Sequence, residues 1–448
     1  MDVGSAPPHR TRSHSSPRGP APTDATEVSQ MDAFMIQGGR PLTGRIEVSG
    51  AKNAALPVMA ATLLTPAVHT LRNVPVLSDT RTMARVLERL GARVEFRGHT
   101  CKIDTSAVNS VEAPYELVRT MRASIYVLAP LIARFGGARV SLPGGCAWGP
   151  RPVNLHIEGL NRMGAKLAVD HGYIVGKDVK LKGADFNFET VSVGATAQLM
   201  MAATLADGIT TLDNAALEPD ITALAEVLVQ CGADIQGIGQ RRMVIKGVKQ
   251  LKPMDTTIIP DRIEAATFLA MAAAVPGSSI TLEHCEASHM AAAIHKLEQC
   301  GCEILPGNRE VAISAPHRPA AMNVTTAPFP GFPTDMQAQM MALASVAEGT
   351  SVITDTVYLD RFTHVPELQR MGADIRLERN VAIVRGVEHL QGAPVMATDI
   401  RASAALVIAA LAAEGETRIS RIYHLDRGYE NFDGRLAKLG APIQRIRE

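Results

Sequence analysis

Apolar and polar positions repeat along the chain as one unit. An Ala- and Met-rich run with helical spacing is followed by a tight turn and an alternating strand, then by a second helical run and another strand. This last strand opens with an apolar-Gly-small-x-apolar signature that recurs about every 70 residues, which is longer than the repeats of open solenoids. The signature glycines are Gly91, Gly164, Gly232, Gly301, Gly372 and Gly440. We therefore predict an α/β fold of six units that form two closed domains of three.

Each unit also carries a turn residue between its first helix and its first strand. These residues are Pro66, Gly137, Gly208, Gly277, Gly349 and Gly415. A glycine directly after a helical run is typical of the left-handed residue that ends a helix, so the signature glycines are predicted to end the second helices.

Composition narrows the function classes. The 448 residues are 46% hydrophobic and only 4% aromatic, which predicts two or more cores built from aliphatic side chains. The 45 Lys and Arg residues balance 45 Asp and Glu residues, which argues against bulk binding of nucleic acid or of a membrane surface. The apolar runs are too short to span a membrane. Residues 1–30 contain no Leu, Ile or aromatic residue and are predicted to form a disordered extension.

Five of the six cysteines occupy apolar positions of the repeat and are predicted to be core residues. They are Cys101, Cys231, Cys285, Cys300 and Cys302. Cys146 instead lies in the Gly/Pro-rich run SLPGGCAWGPRP close to Arg151, in the exposed and electropositive setting that favours a reactive thiol. Scattered cysteines without a secretory signal favour a reducing cytoplasm. The chain has no dinucleotide, phosphate-loop or zinc motif, so we expect no cofactor and no metal.

The starts of the Ala-rich helices differ in charge between the two halves of the chain. In the first half they carry Lys52 and Arg122, which oppose the helix dipole unless an anion lies in front of the helix. In the second half they carry Asp261, Asp335 and Asp399, each of which is a good helix cap. Two domains that face each other would then enclose a cleft with an anion-binding wall and an acidic wall.

Eight ordered motifs between Met31 and Glu448 resemble those of the UDP-N-acetylglucosamine 1-carboxyvinyltransferase family. The motifs are SGAKNAALP, TMRAS, SLPGGCAWGPRPVNLHI, SVGAT, PDRIE, FPTDMQAQ, MATDIRASAALV and YHLDRGYE. The resemblance implies two inside-out α/β barrel domains, each of three βαβαββ units, which agrees with the six units above. It further implies that residues 31–51 and 260–448 form the C-terminal-type domain and that residues 52–259 form the inserted domain with the Cys146 loop.

The same resemblance implies a reaction. The enolpyruvyl group of phosphoenolpyruvate is transferred to the 3′-hydroxyl of UDP-N-acetylglucosamine, with release of phosphate, in the first committed step of peptidoglycan synthesis. The implied partners are these two small molecules, in the cytoplasm, without cofactor, nucleic acid or membrane. Such a reaction requires clamps for phosphate and carboxylate, a base for the hydroxyl and an acid for the vinyl carbon.

The resemblance also implies roles for individual residues. Asp335 takes the hydroxyl proton, Asp399 is a supporting acid, and Cys146 is the loop thiol that assists proton transfer or product release and that fosfomycin alkylates. Lys52 and Arg427 complete the catalytic set. The residues implied to bind substrate are Lys52, Asn53, Arg122, Arg151, Pro152, Val153, Asn154, Leu155, Thr190, Val191, Ser192, Val193, Asp335, Val357, Arg361, Arg401 and Arg427.

Three alternatives remain on the sequence alone. The sister enzyme, 5-enolpyruvylshikimate-3-phosphate synthase, shares the fold and the phosphoenolpyruvate chemistry but lacks this Cys loop. A catalytically silent paralogue that binds sugar nucleotide would be expected to have lost Lys52, Cys146 or Asp335, and all three are present. A six-unit scaffold for protein contacts leaves the cationic helix starts unexplained.

Overall fold

The computed structural model of the protein describes Met1 and residues 32–119, 121–142 and 153–447, with the backbone alone at position 122. The extension predicted at the N-terminus and three residues of the expected site, Cys146, Arg151 and Pro152, lie outside the described residues.

Helices and strands alternate along the chain, as the repeat predicts. The helices are α1 Lys52–Ala61, α2 Ser78–Arg89, α3 Tyr115–Val118, α4 Leu128–Phe135, α5 Asn154–Arg162, α6 Val193–Ala203, α7 Pro219–Gln230, α8 Arg262–Ala274, α9 Ala291–Gln299, α10 Gln337–Val346, α11 Val365–Arg370, α12 Ile400–Ala412, α13 Tyr423–Asp426 and α14 Phe432–Lys438. Short 3-10 turns lie at Thr62–Leu64, Arg122–Val127, Ala287–Met290 and Thr334–Met336. Within the described ranges, the helices are too short or too polar to cross a membrane.

The strands are short and evenly distributed. They are β1 Asp32–Gln37, β2 Thr43–Glu47, β3 Val68–Arg72, β4 Arg93–Arg97, β5 Thr100–Asp104, β6 Glu112–Ala113, β7 Ala138–Ser141, β8 Ala168–Asp170, β9 Tyr173–Gly176, β10 Asp185–Asn187, β11 Ile209–Asp213, β12 Asp234–Gln236, β13 Arg242–Lys246, β14 Asp255–Thr257, β15 Ser278–Glu283, β16 Glu303–Pro306, β17 Glu310–Ala315, β18 Val324–Thr325, β19 Thr350–Thr354, β20 Asp374–Glu378, β21 Val381–Arg385, β22 Pro394–Met396, β23 Glu416–Ser420 and β24 Ile443–Arg447.

Among the described residues the strands form six four-stranded sheets with one shared order. In the sheet β10-β11-β13-β12, β10 runs parallel to β11, and β13 runs antiparallel to both of its neighbours. The other sheets, β14-β3-β5-β4, β6-β7-β9-β8, β2-β15-β17-β16, β18-β19-β21-β20 and β22-β23-β1-β24, repeat this order. The recurrence confirms the α/β class and the six units.

The chain crosses between the halves at Gly50 and Pro260, which form an isolated bridge. β2 precedes α1 in the chain but pairs with β15 of the second half, whereas β14 precedes α8 but pairs with β3 of the first half. A Cβ on Gly50 would lie 1.8 Å from the carbonyl oxygen of Asn73, so only glycine fits at the crossing. β1 likewise joins the last sheet, between β23 and β24.

Two hydrophobic cores lie on either side of this crossing. One is built from residues within 51–258, and the other from residues within 34–48 and 263–441. Helices α8, α10 and α12 pack against one another in the second core and are apolar on nearly every side, because they are buried all round. The domain boundaries at 51/52 and 259/260 stay a prediction.

The six signature glycines end helices, as predicted. Their φ angles lie between +85° and +103°, in the left-handed region. The turn glycine of the second unit was predicted one residue too late. Because α4 continues to Phe135, the left-handed residue is Gly136, with φ +67°, and not Gly137.

The five described cysteines are buried, which confirms them as core residues. Burial raises the pKa of the Cys300 thiol to about 12 and that of the Cys231 thiol to about 11. Both thiols are therefore protonated and poorly reactive at neutral pH.

Candidate active site

Lys52 is the first residue of α1, and it is only 8% exposed. Its ammonium group lies 3.3 Å from Oδ2 of Asp79, near the start of α2. Burial lowers the pKa of Lys52; the Asp79 carboxylate opposes this shift, while the guanidinium groups of Arg401 and Arg427 add to it. The first turn of α1 holds no acidic residue, and none of the described side chains caps the helix. The structure therefore has the cationic helix end that the sequence predicts.

Arg427 approaches the same carboxylate from the second half of the chain. Its Nε donates to Oδ1 of Asp79 at 3.0 Å, so this carboxylate is shared between two cations. Three residues further on, Glu430 accepts hydrogen bonds from the backbone N–H of Val76 at 2.9 Å and from the His99 ring at 2.8 Å. The segment after α13 therefore contacts the first half through both Arg427 and Glu430.

Asp335 lies in the turn just before α10, where two arginines hold its carboxylate. Arg361 Nη1 donates to Oδ1 at 2.7 Å, and Arg401 Nη2 donates to Oδ2 at 3.1 Å. Burial alone would raise the pKa of Asp335, but the two guanidinium groups outweigh it and hold the pKa well below its usual range. The side chains of Arg361 and Arg401 are 8% and 5% exposed, whereas that of Asp335 is 29% exposed. The carboxylate is thus ionised, accessible and paired with positive charge.

Asp355 fixes the loop that carries Val357 and Arg361. Its buried carboxylate accepts hydrogen bonds from the Thr334 hydroxyl at 2.7 Å and from the backbone N–H of Val357 at 2.9 Å. Arg361 Nη1 also donates to the Thr334 hydroxyl, at 3.1 Å. The loop and the turn before α10 therefore form one hydrogen-bonded unit, which sets the distance between Arg361 and Asp335.

The three acidic helix starts of the second half differ in what their carboxylates bind. Asp261 Oδ1 accepts from two backbone N–H groups of α8, and Asp399 Oδ1 accepts from two of α12, at distances between 2.8 and 3.1 Å. The Asp335 carboxylate faces two guanidinium groups instead, and none of the described side chains caps α10. Two of the three potential caps therefore act as caps.

The starts of α5 and α6 lie side by side in the first half. The buried ring of His156, in the first turn of α5, packs against Gly194, where a Cβ would lie 3.0 Å from Cε1 of the ring. Burial lowers the pKa of His156 to about 4, so the ring is neutral. Ser192 caps α6 by accepting from a backbone N–H of its first turn at 3.2 Å. This contact places the predicted segments 153–155 and 190–193 next to each other.

The remaining predicted site residues are accessible or lie beyond the described side chains. Asn53, Asn154 and Thr190 are exposed, and Val357 is 38% exposed, so a ligand can reach them. The side chain of Arg122 is not among those described.

Sequence reasoning missed Asp79, Tyr429 and Glu430. Asp79 follows Ser78 and has the pattern of an ordinary first-turn acid, while its partner Arg427 is 348 residues away in the chain. Tyr429 and Glu430 belong to the motif YHLDRGYE, in which the arginine alone carried a chemical signal.

The side chains brought together here suit a small substrate with more than one anionic group. The cations are Lys52, Arg361, Arg401 and Arg427, and the carboxylates among them are Asp79 and Asp335. The cations outnumber the carboxylates, so positive charge is left to bind the anionic groups of a substrate, and a carboxylate can accept a proton from it. Across the described part of the chain, no three His, Cys, Asp or Glu side chains are grouped so that they could hold a metal ion.

Comparison with known proteins relates the chain to carboxyvinyltransferases. The family model for EPSP synthase (3-phosphoshikimate 1-carboxyvinyltransferase) matches residues 36–436. The UDP-N-acetylglucosamine 1-carboxyvinyltransferases of Geobacter metallireducens and Thermodesulfovibrio yellowstonii are each 54% identical to the chain over 418 residues, which cover 93% of this chain and 100% of theirs.

Solved structures show the same relationship. The enolpyruvyl transferase NikO from Streptomyces tendae is similar with a TM-score of 0.84 and 27% identity, over 93% of this chain and 99% of NikO. EPSP synthase from Acinetobacter baumannii is similar with a TM-score of 0.75 over 93% of this chain and 100% of its own, and at 16% identity this likeness concerns the fold alone.

Proposed function

The chain belongs to the EPSP synthase family, and we propose that it is an enolpyruvyl transferase that acts on UDP-N-acetylglucosamine. The enzyme moves the enolpyruvyl group of phosphoenolpyruvate to the 3′-hydroxyl of the sugar and releases phosphate. The family resemblance extends the proposal to the first committed step of peptidoglycan synthesis in the cytoplasm, and so to cell shape and division.

The observation that carries this proposal is that Lys52 of one half and Arg427 of the other share the Asp79 carboxylate, while Arg361 and Arg401 hold Asp335. The charges of Arg401 and Asp335 also act on the pKa of Lys52, so the two clusters belong to one site. Phosphoenolpyruvate has a phosphate and a carboxylate, so it needs several cations in one place. We assign these cations, with Asn53, to the clamp on phosphoenolpyruvate.

Asp335 is the proposed acceptor of the sugar hydroxyl proton. In the free protein its two arginines make it a weak base, because they stabilise the charged form of the carboxylate. A bound phosphate or carboxylate competes for the same guanidinium hydrogens and thereby makes Asp335 a stronger base. Proton removal is thus coupled to the presence of phosphoenolpyruvate.

Besides a base for the sugar hydroxyl, the reaction needs an acid that protonates the vinyl carbon of phosphoenolpyruvate. Burial makes the Lys52 ammonium a stronger acid than a solvated lysine, which suits it to this part of the site. By resemblance, Cys146 assists proton transfer or product release and accounts for sensitivity to fosfomycin. Asp399 is assigned a supporting role, since its Oδ1 caps α12 while its Oδ2, among the described residues, accepts a long hydrogen bond of 3.3 Å from Thr398.

The sugar nucleotide is proposed to bind where α5 and α6 begin. Backbone N–H groups at helix starts bind phosphate groups, and α5 and α6 begin side by side because the His156 ring packs on Gly194. We assign the segments 153–155 and 190–193 to this site. Arg122, Arg151, Pro152 and Val357 complete it by resemblance.

Phosphate release from the purified protein tests the proposal. Phosphoenolpyruvate is supplied in parallel with UDP-N-acetylglucosamine or with shikimate 3-phosphate. Release with the sugar nucleotide alone is the expected result. Release with shikimate 3-phosphate alone would assign the sister activity instead, and no release from protein that binds the nucleotide would favour a silent paralogue.

A further inference from the structure

We propose that Tyr429 is a positioning residue for this reaction, because its buried phenol holds the Arg401 guanidinium in the orientation that binds Asp335 and the substrate anion. The inference rests on the proposed function, in which Arg401 belongs to the anion clamp. Arg401 is 5% exposed in its side chain and Tyr429 is 1% exposed, so the contact between them lies inside the protein.

The donor and the acceptor of each hydrogen bond around Tyr429 follow from the chemistry of the partners. Arg401 has only hydrogens to give, so its Nη1 donates to the Tyr429 oxygen at 3.0 Å. The Thr267 hydroxyl donates to the carbonyl oxygen of Ile263 at 2.7 Å. Its oxygen lies 3.0 Å from that of Tyr429 and is left to accept the phenol hydrogen. The chain of bonds therefore runs from Arg401 through Tyr429 and Thr267 to the backbone of α8.

Gln339 adds α10 to this network. Its side-chain NH2 group donates to the carbonyl oxygen of Asp335 at 2.9 Å and to the Thr267 hydroxyl at 3.2 Å. Three inner helices, α8, α10 and α12, are thereby joined through side chains that are almost fully buried. The backbone of Asp335 and the guanidinium group of Arg401 are thus held by the same network.

The place of Tyr429 is itself fixed by the residue before it. Gly428 packs directly on α12, since a Cβ there would lie 2.3 Å from Cγ2 of Ile400. On the other side of Gly428, Arg427 contacts Asp79 of the first half. One short segment therefore supplies a cation to the contact between the halves and a phenol to Arg401.

The substitution Tyr429→Phe tests the inference, since it keeps the ring and removes only the hydroxyl. Arg401 then loses a buried acceptor, and a buried donor without a partner is costly enough to reorient the guanidinium group. We expect the KM for phosphoenolpyruvate to rise about tenfold, while the Kd for UDP-N-acetylglucosamine changes by less than about twofold. A loss of global packing would affect both substrates, so the split separates positioning from general structure.

Thr267→Val tests the next link in the chain, with Thr204→Val as its matched control. Thr204 is also fully buried and donates to a carbonyl oxygen of its own helix at 2.7 Å, but it lies at the end of α6 in the other core. Both substitutions remove one hydroxyl and keep the shape of the side chain. We expect Thr267→Val to raise the KM for phosphoenolpyruvate severalfold, Thr267→Ser to restore it, and Thr204→Val to leave it unchanged.

The outcomes separate this inference from the proposed function. If the wild-type enzyme turns over and folded Tyr429→Phe protein has an unchanged KM for phosphoenolpyruvate, the inference is wrong and the function stands. If the wild-type protein releases phosphate with neither UDP-N-acetylglucosamine nor shikimate 3-phosphate, a crystal structure of the Tyr429→Phe variant still tests the inference. The distance from Arg401 Nη2 to Asp335 Oδ2 should then exceed its present 3.1 Å, and an unchanged distance overturns the proposal. Should Tyr429→Phe fail to fold, the Thr267 variants give the same decision.

Discussion

The two halves of the molecule begin their inner helices with opposite chemistry. In the second half, α8 and α12 are capped by the carboxylates of Asp261 and Asp399, so negative charge already satisfies their first N–H groups. In the first half, α1 begins with Lys52 and no described side chain caps it, while α6 is capped by the neutral Ser192. Negative charge therefore caps two inner helices of the second half, whereas the start of α1 in the first half carries a cation and is open to an external anion on the proposed function.

Asp335 is the exception in the second half, and it is the carboxylate to which we assign a part in the reaction. It lies in the turn just before α10 and has the same sequence pattern as the two capping residues, yet it binds Arg361 and Arg401 and not helix N–H groups. A capping carboxylate is held permanently by its own helix. A carboxylate held by arginines is released when another anion takes those arginines. On the proposed function, the first half binds anions and the second half also moves a proton.

Asp335→Asn should have the largest effect, because it removes the proposed proton acceptor and keeps the shape of the side chain. Turnover should fall by about 1,000-fold, within the range for loss of a general base. Arg361 and Arg401 no longer share their charge with a carboxylate, so the Kd for phosphoenolpyruvate should fall. Single-turnover kinetics and calorimetry measure the two effects.

Asp261→Asn is the matched control for this prediction, since it makes the same change at a capping position. Its turnover should stay within about twofold of the wild type, because asparagine also caps helices well. A Kd for phosphoenolpyruvate that rises in Asp335→Asn would contradict the competition between Asp335 and substrate for the arginines.

Lys52→Met should have the next largest effect, and it tests the comparison at the cationic helix start of the first half. The substitution leaves Asp79 paired with Arg427, so the fold should persist. With one cation lost from the site, kcat/KM for phosphoenolpyruvate should fall about 100-fold, as for removal of one electrostatic donor. Steady-state kinetics at saturating UDP-N-acetylglucosamine measure it.

Two further variants serve as controls for the loss of activity in Lys52→Met. Lys52→Arg keeps the positive charge and should retain more activity than Lys52→Met, while Lys102→Met, on the exposed side of β5, should match the wild type. Equal losses in both Lys52 variants would mean that the fit of the ammonium group matters more than its charge.

The repeat could be predicted from the sequence because its causes are local. Hydrophobic spacing and helix-ending glycines depend on near neighbours, and the six sheets follow from six copies of one pattern. The one misplaced turn, Gly137 for Gly136, lies in a Gly-Gly pair where the end of α4 decides between two identical residues.

The site was less predictable because its causes are distant in the chain. Lys52 was visible, since a cation at a helix start is unusual. Asp79 was not, because its partners lie 27 and 348 residues away. Local sequence gives Asp335 the same pattern as Asp261 and Asp399. What separates them is a pair of arginines 26 and 66 residues further along, which only the fold brings to the carboxylate.

The smallest effects are expected at Asp399, whose side chain is both the cap of α12 and the proposed supporting acid. Asp399→Ala removes the cap of α12 and should lower the free energy of unfolding by about 1 kcal/mol, whereas Asp399→Asn keeps an acceptor oxygen and should cost only a few tenths of this. If the carboxyl supports proton transfer, Asp399→Asn should still lower kcat severalfold. Urea unfolding and kcat for both variants measure the two roles separately. If kcat falls only in proportion to the free energy of unfolding, Asp399 acts as a cap alone. Asp335 is then the one acidic residue at a helix start of the second half that takes part in the chemistry.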